Sequence, residues 1–271
     1  MSHTPPSPRR RTVLTTIATG GLVAVVGCAS DASSEPGEGA FSAVHVEGTE
    51  LVVEYDAETS ATGLAVIAPS GEAFAERELT PGASRETIPI GTSYPPGTYT
   101  VQLVDADRVV AAVEQSIQPD IVIQELQLGR NNPEEMYEGA AEQVIRTEAI
   151  LRVENRGSGP EKLIELQFGG YVPRPTPEQT DDSGIVVVDD QPNFHAEPVL
   201  KPDSTLVLYS RVFPFSSSSQ EVSCEPEGVS GEMTVSLSGT VSDDTVQRTY
   251  GVTYTGDDLL TCDISIQGDD S

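Results

Sequence analysis

The sequence predicts an all-β chain: two β-sandwich modules in tandem, behind an export segment and a flexible tether. Three observations predict it. From Phe41 onward, short apolar runs alternate with polar residues at a period of two. These runs recur about every 8–12 residues, separated by Pro, Gly, Asp and Ser clusters. The length, 271 residues, suits two small domains or one large one, and 37 % hydrophobic against 21 % charged residues leaves material for a core.

Residues 1–28 form the export segment. Arg9, Arg10 and Arg11 precede a weakly apolar stretch from Thr12 to Val26 that is interrupted by Thr15, Thr16, Thr19, Gly20 and Gly21. At roughly fifteen residues it is too short to span a bilayer. The run Arg10-Arg11-Thr12-Val13-Leu14 resembles a twin-arginine export signal, although Arg9 stands where that family usually has Ser or Thr. Val25-Val26-Gly27-Cys28 resembles a lipobox, which implies lipidation at Cys28 and a protein held on the outer face of the cell membrane. The alternative is a cytosolic chain with a basic amphipathic start. Residues 29–40 lack apolar periodicity and read as a tether reaching on the order of 20 Å.

Residues 41–118 form the first module. Leu51–Tyr55, Leu64–Ile67, Tyr99–Val104 and Val109–Ile117 are its marked strands. Pro69-Ser70-Gly71, Thr80-Pro81-Gly82 and Pro95-Pro96-Gly97 supply turn chemistry between them. The approach Tyr94-Pro95-Pro96-Gly97-Thr98-Tyr99 is similar to that of a late strand in immunoglobulin-like and fibronectin-like modules. That resemblance implies either a tyrosine corner at Tyr99 or a half-exposed strand tyrosine. Gln118-Pro119-Asp120 is the short joint, and its proline suits a strand end.

Residues 119–271 form the second module, with long loops. Ile121–Leu128, Ala149–Asn155, Leu163–Phe168, Ile185–Val188, Thr205–Tyr209, Met233–Ser238, Val246–Tyr254 and Cys262–Ile266 read as strands. Pro133–Ile145 is its only helical candidate. The run Val153-Glu154-Asn155-Arg156-Gly157-Ser158-Gly159 between two strands resembles the adhesion-related (CARDB-like) sandwich domains of bacterial and archaeal surface proteins. It implies a hairpin in which Asn and Gly accept positive φ. The fold class expected is thus two immunoglobulin-like β-sandwich modules in tandem.

Charge narrows the functions. With 43 acidic and 15 basic residues the net charge is −28, which excludes nucleic acid as a partner and a basic patch on an anionic membrane. Only Lys162 and Lys201 are lysines and Trp is absent. This balance resembles the proteomes of extremely halophilic archaea; an ordinary acidic extracellular protein is the alternative. At molar salt the Debye length falls to about 3 Å, which screens the carboxylates.

With Cys28 assigned to lipid, Cys224 and Cys262 remain, either as a disulfide or as free thiols. Asp181-Asp182, Asp189-Asp190, Asp243-Asp244, Asp257-Asp258 and Asp269-Asp270 have the oxygen ligands calcium prefers, yet no Asp-x-Asp-x-Asp-Gly loop occurs. No cofactor is expected, with structural calcium as the alternative. His195 and Glu197 alternate as on one face of a strand, too few for a transition-metal site. Enzyme signals are scarce: Gly-x-Ser-x-Gly is missing, and among so many carboxylates no catalytic pair is singled out. Two loops remain, Gly170–Gly184 and the stretch after Phe213, as recognition loops through Tyr171, Arg174 and Phe215 or as mobile surface. The function expected is non-catalytic: a lipid-anchored surface protein for binding or adhesion, or an external accessory subunit of a membrane complex. Its partners would be the membrane and an unidentified surface protein. A solute- or ion-binding lipoprotein is the alternative, and a secreted hydrolase comes after it.

Overall fold

The structure, a computed structural model, describes residues 39–177, 182–188, 192–217, 222–258 and 260–268. Arg10, Arg11, Cys28 and most of the tether lie outside the described residues, as do Asp181, Asp189, Asp190, Asp269 and Asp270.

The first sandwich contains β1 (Phe41–Glu47), β2 (Glu50–Tyr55), β3 (Gly63–Ile67), β4 (Ala73–Glu78), β5 (Arg85–Pro89), β6 (Gly97–Asp105) and β7 (Arg108–Ile117). One sheet has the order β1-β2-β5 and the other β4-β3-β6-β7, all antiparallel. Alternation decides what is buried: in β6, Tyr99, Val101 and Leu103 face inward while Thr100 and Gln102 do not. They meet Leu51, Val53 and Tyr55 of the other sheet in one core. Three strands go beyond the four marked runs. β1 pairs as an edge on β2, and β4 and β5 carry so many charges (Glu76, Arg77, Glu78, Arg85, Glu86) that pairing to β3 and β2 decides their state. Tyr99 is fully buried, donates its hydroxyl to the Pro95 carbonyl at 2.7 Å and packs edge-on against Phe74, as a tyrosine corner does.

The second sandwich contains β8 (Ile121–Leu128), α1 (Glu142–Thr147), β9 (Ala149–Asn155), β10 (Glu161–Gly170), β11 (Ile185–Val188), β12 (Pro192–Asn193), β13 (Val199–Leu200), β14 (Ser204–Ser210), β15 (Val229–Gly239), β16 (Val246–Thr255) and β17 (Asp263–Gly268). Its sheets run β12-β11-β14-β9-β8 and β13-β10-β15-β16-β17. Leu151, Val153, Ile185 and Leu208 of the first meet Leu166, Phe168, Val235 and Tyr254 of the second. The helix expected over Pro133–Ile145 is shorter and later: a single 3₁₀ turn at Pro133–Glu135, then α1. Gly139 at φ +83° interrupts the run. This excursion covers the outer face of the first sheet, where Met136, Ile150, Val186 and Tyr209 form a small separate cluster. That cover explains the consecutive apolar residues Ile150-Leu151: both faces of β9 are buried there. Among the described residues no helix is long and apolar enough to cross a membrane.

The Asn155–Gly159 hairpin is corrected. β9 and β10 belong to different sheets, so this segment is a crossover. Neither Gly157 nor Gly159 has positive φ. They are glycines because a Cβ at Gly157 would sit 2.4 Å from the Asp120 nitrogen, and one at Gly159 only 2.0 Å from the Tyr94 hydroxyl. The segment is the wall of the joint between the sandwiches. Buried Asn155 accepts from the Asp120 and Gly157 N–H groups and donates to the Gly159 and Leu200 carbonyls, using its full capacity. Buried Glu161 accepts the backbone N–H groups of Lys162, Thr240, Val241 and Ser242 at 2.8–3.0 Å. That holds Val241 in the core of the first sandwich. Tyr94 donates to the Pro160 carbonyl and the Thr240 hydroxyl to the Thr92 carbonyl. Burial, with the Glu161 carboxyl beside it, pushes the Tyr94 phenol far up, so it remains a donor.

Strand direction orders the whole unit. Phe41 pairs with Tyr55 at the end away from the joint, since Glu50 pairs with Pro89, from which the chain runs on to Thr92. In the second sandwich β8, β14 and β16 run away from the joint and β9, β15 and β17 return to it. The described residues 129–148, 171–177, 182–184, 211–217, 222–228, 256–258 and 260–262 therefore gather at its far end.

Candidate functional site

Glu148 is the single residue between α1 and β9. Its N–H donates to the Val144 carbonyl at 2.9 Å and its carbonyl accepts the Gly129 N–H at 3.0 Å. With its backbone fixed on both sides, the residue is only 2 % exposed, and its Oε2 has no hydrogen-bond partner among the described residues. An unpaired buried carboxylate is disfavoured by several kcal/mol, on the order of what several pKa units represent. Burial accordingly pushes Glu148 up to about 8, and at neutral pH it is a carboxylic acid able to donate as well as accept. Tyr137 and Tyr209 lie nearby, their rings edge to face at 5.0 Å. Tyr137 is pushed up to about 12 by burial, then by Glu148 and Tyr209.

Glu148 lines a cleft of about 550 Å³, with Arg174, Asp182 and Arg211 as its other charged groups. Pro175, Phe194, Val212 and Phe213 give it apolar walls. Arg211 Nε pairs with Asp182, and His195 Nδ1 lies 3.5 Å from the same carboxylate. Arg174 is exposed and has no carboxylate partner among the described residues; only its backbone is tied, by its N–H to the Pro214 carbonyl. Phe213 sits at φ +50°, a conformation that costs a bulky residue about 1–3 kcal/mol. Among the described residues the cleft thus combines apolar surface, one guanidinium without a carboxylate and one neutral buried acid.

Of the three recognition candidates, Arg174 reaches this cleft and the other two do not. Phe215 is corrected: it is 1 % exposed, inside the core of the second sandwich, and its N–H donates to the Thr147 carbonyl. Its ring follows apolar burial into the core, which removes it from contact with a partner. Tyr171 is half-buried against Tyr254, ring centroids 5.7 Å apart, and its carbonyl accepts the Tyr254 hydroxyl. Gly231 leaves room for that ring, since a Cβ there would lie 2.4 Å from it. The Gly170–Gly184 loop is pinned where described: Val172 is buried, Thr176 bonds Phe168 twice, and the Leu166 N–H donates to the Ser183 carbonyl.

Cys224 and Cys262 form a disulfide. His195 and Glu197 do not share a strand face: His195 lies in a turn beside Asp182, and Glu197 pairs with Lys162. Asp258 spends its Oδ1 accepting the Leu260 and Thr261 N–H groups. Among the described residues no three His, Cys, Asp or Glu side chains group as metal ligands. Sequence reasoning missed Glu148 and the Asp182–Arg211 pair. The signal available for Glu148 was an acid directly before the apolar run Ala149-Ile150-Leu151.

No family model and no curated protein matches the chain. Among solved structures it is similar to a glycosyl hydrolase family 2 member from Bacteroides cellulosilyticus DSM 14838, at 12 % identity and TM-score 0.22, covering 75 % of this chain and 24 % of that one. A β-glucuronidase from glycoside hydrolase family 2 gives 9 % identity and TM-score 0.22, over 76 % of this chain and 18 % of that one. A segment of two fibronectin type-III domains from chicken tenascin gives 10 % identity and TM-score 0.27, over 84 % of this chain and 99 % of that one. The chain spans a quarter or less of the two hydrolase chains. At such scores none of the three bears on its activity. The chain is a pair of immunoglobulin-like β-sandwiches on its own strand pairing and its two cores.

Proposed function

We propose that this chain is a non-catalytic surface lipoprotein, anchored through Cys28 after twin-arginine export, that presents the loop end of its second sandwich to a ligand or partner. One observation carries the reading. The strand register puts Phe41, where the tether joins the first sandwich, and the loop cluster around Glu148 at opposite ends of the two-sandwich unit. A chain held by its N-terminus offers its far end to the surroundings. The Cys224–Cys262 disulfide fits an oxidising compartment outside the cell. The acidic surface and the scarcity of lysine fit a halophilic archaeal cell exterior. The cleft at the loop end also favours the reading as a solute-binding lipoprotein, since its volume suits a small ligand.

Cross-linking on intact cells in high salt tests this, with the tagged protein recovered and its cross-linked peptides identified. The expected result is surface labelling, loss from the membrane fraction in Cys28→Ala, and cross-links concentrated in residues 129–148, 171–184 or 211–228. A protein confined to the cytoplasm, or cross-links spread over the first sandwich, would overturn it.

A further inference from the structure

Resting on the loop end as the binding end, we propose that the cleft beside Glu148 takes the carboxylate of an apolar organic acid. Arg174 pairs with that carboxylate and the Glu148 carboxyl donates to it from the floor. Pro175, Phe194 and Val212 cover the apolar body.

Three observations converge on this class. Glu148 Oε2 is buried and unpaired; among the described residues it shares that state with the Tyr55 and Tyr250 hydroxyls and is the one carboxyl oxygen among them, whereas buried Asn155 and Glu161 are satisfied. An orphaned buried atom beside a cleft is a place for a ligand group. Second, several exposed arginines in this acidic chain find a carboxylate, Arg85 with Glu47, Arg152 with Glu125 and Arg156 with Glu154, although Arg77 bonds only the Glu76 carbonyl. Arg174 finds none among the described residues, and its planar fork matches an incoming carboxylate. Third, the remaining charges offset one another, since Asp182 is engaged by Arg211 and faced by His195.

With Glu148 protonated, Arg174 is the charged group of the cleft left without an opposite charge among the described residues. An ammonium ligand would meet Arg174 and would need Glu148 ionised against its burial. A neutral ligand would leave the guanidinium unused. The neighbouring cleft across α1, about 400 Å³, is a weaker candidate. Its Arg130 is committed to the Arg146, Phe215 and Cys262 carbonyls, and its Arg146 to Glu142. The ligand carboxylate has two sources, a free small acid or the C-terminus of a peptide, and one experiment separates them.

Isothermal titration of the full-length chain at neutral pH, in the salt that keeps it folded, uses 3-phenylpropanoate, its amide and 3-phenylpropylamine. A short acetylated peptide ending in Phe, with free or amidated C-terminus, completes the series. We expect the acid to bind in the millimolar range or tighter, and at least about tenfold better than amide or amine. Arg174→Gln and Glu148→Leu should each lose about tenfold, whereas Glu148→Gln, which keeps an N–H donor, should stay within about threefold. A free peptide terminus tighter than 3-phenylpropanoate identifies a chain end as the ligand; the reverse identifies a free acid. The proposal is overturned if acid, amide and amine bind alike, if no acid binds, or if Arg174→Gln binds the acid as the parent does. Should Glu148→Leu fail to fold, exposed Arg174→Gln and the probe series still decide. No acid binding alongside cross-links at the loop end rejects the ligand class and leaves the surface reading standing. Acid binding without such cross-links does the opposite.

Discussion

Glu148 couples the chemistry of the cleft to the stability of the fold. Its ordinary value is 4.5, and burial moves it to about 8 in the folded chain. Between those values the unfolded chain has released the proton that the folded chain still holds. Stability is therefore fully present below 4.5 and falls by about 1.4 kcal/mol for each pH unit until the folded value is passed. Glu148→Gln removes that slope. The expected outcome is an unchanged melting temperature near pH 4 and a rise of several degrees near pH 9, followed by thermal unfolding across that range; parallel pH profiles for parent and variant would contradict it. Asn155 works in the opposite sense, as a group whose removal leaves others unpaired. Asn155→Ala strands the Gly159 and Leu200 carbonyls and the Asp120 N–H inside the joint. A loss of about 2–4 kcal/mol in denaturant unfolding is expected; a loss below about 1 kcal/mol would mean that water replaces the amide.

At the scale of elements, two cross-connections hold what the strands alone do not. The joint depends on close approach at Gly159, so Gly159→Ala should force Tyr94 away and break its bond to Pro160. Calorimetry of the parent should show one transition; Gly159→Ala should split it into two, with faster proteolysis at Gln118–Asp120. A single unsplit transition in the variant would show that the joint tolerates the methyl. The disulfide ties the segments before β15 and β17 across 38 positions, and closing such a loop contributes about 4 kcal/mol in the chain-entropy model. A Cys224→Ser, Cys262→Ser double variant should lose most of that, with the loop end affected first. These elements also mark how far the sequence could be read. Runs such as Ile121–Leu128 and Ile185–Val188 were legible to the residue, because short runs rich in β-branched and apolar residues end there at Pro, Gly or Asp. The Asn155–Gly159 crossover was not, since turn residues look alike whether φ is positive or a distant backbone presses close. The partner pressing on Gly159 is Tyr94, far away in sequence. Arg174 was legible as an isolated cation in a Pro-rich loop. Glu148 was not, because its burial comes from α1 folding back over the sheet, which no local pattern encodes. Phe215 was misread because an aromatic residue in a loop is as readily a core residue as a contact.

For the whole molecule the controlling quantity is charge. Its 43 acidic residues outnumber 15 basic ones. Most of the described ion pairs, Arg85 with Glu47 and Glu54 among them, are exposed, and such pairs contribute about 0–1 kcal/mol each. They do not offset the general repulsion, which acts between strands and loops of both sandwiches. At ~0.1 M salt the Debye length is about 10 Å, long enough for carboxylates on neighbouring strands to repel; at ~1 M it is about 3 Å and that repulsion is confined to contact. The two cores are apolar and the joint is held by internal hydrogen bonds, and salt is not needed to form them. It is needed to keep the shell around them from driving them apart. The expected outcome is loss of β-sheet circular dichroism on dialysis below roughly 1 M salt, restored on returning the salt. Sodium chloride and potassium chloride should serve alike, since screening depends on ionic strength. Unchanged spectra in dilute buffer would mean that the cores outweigh the repulsion and that the acidic surface is not an adaptation to brine. Rescue by millimolar calcium alone would instead assign the effect to bound cations at the acidic loops.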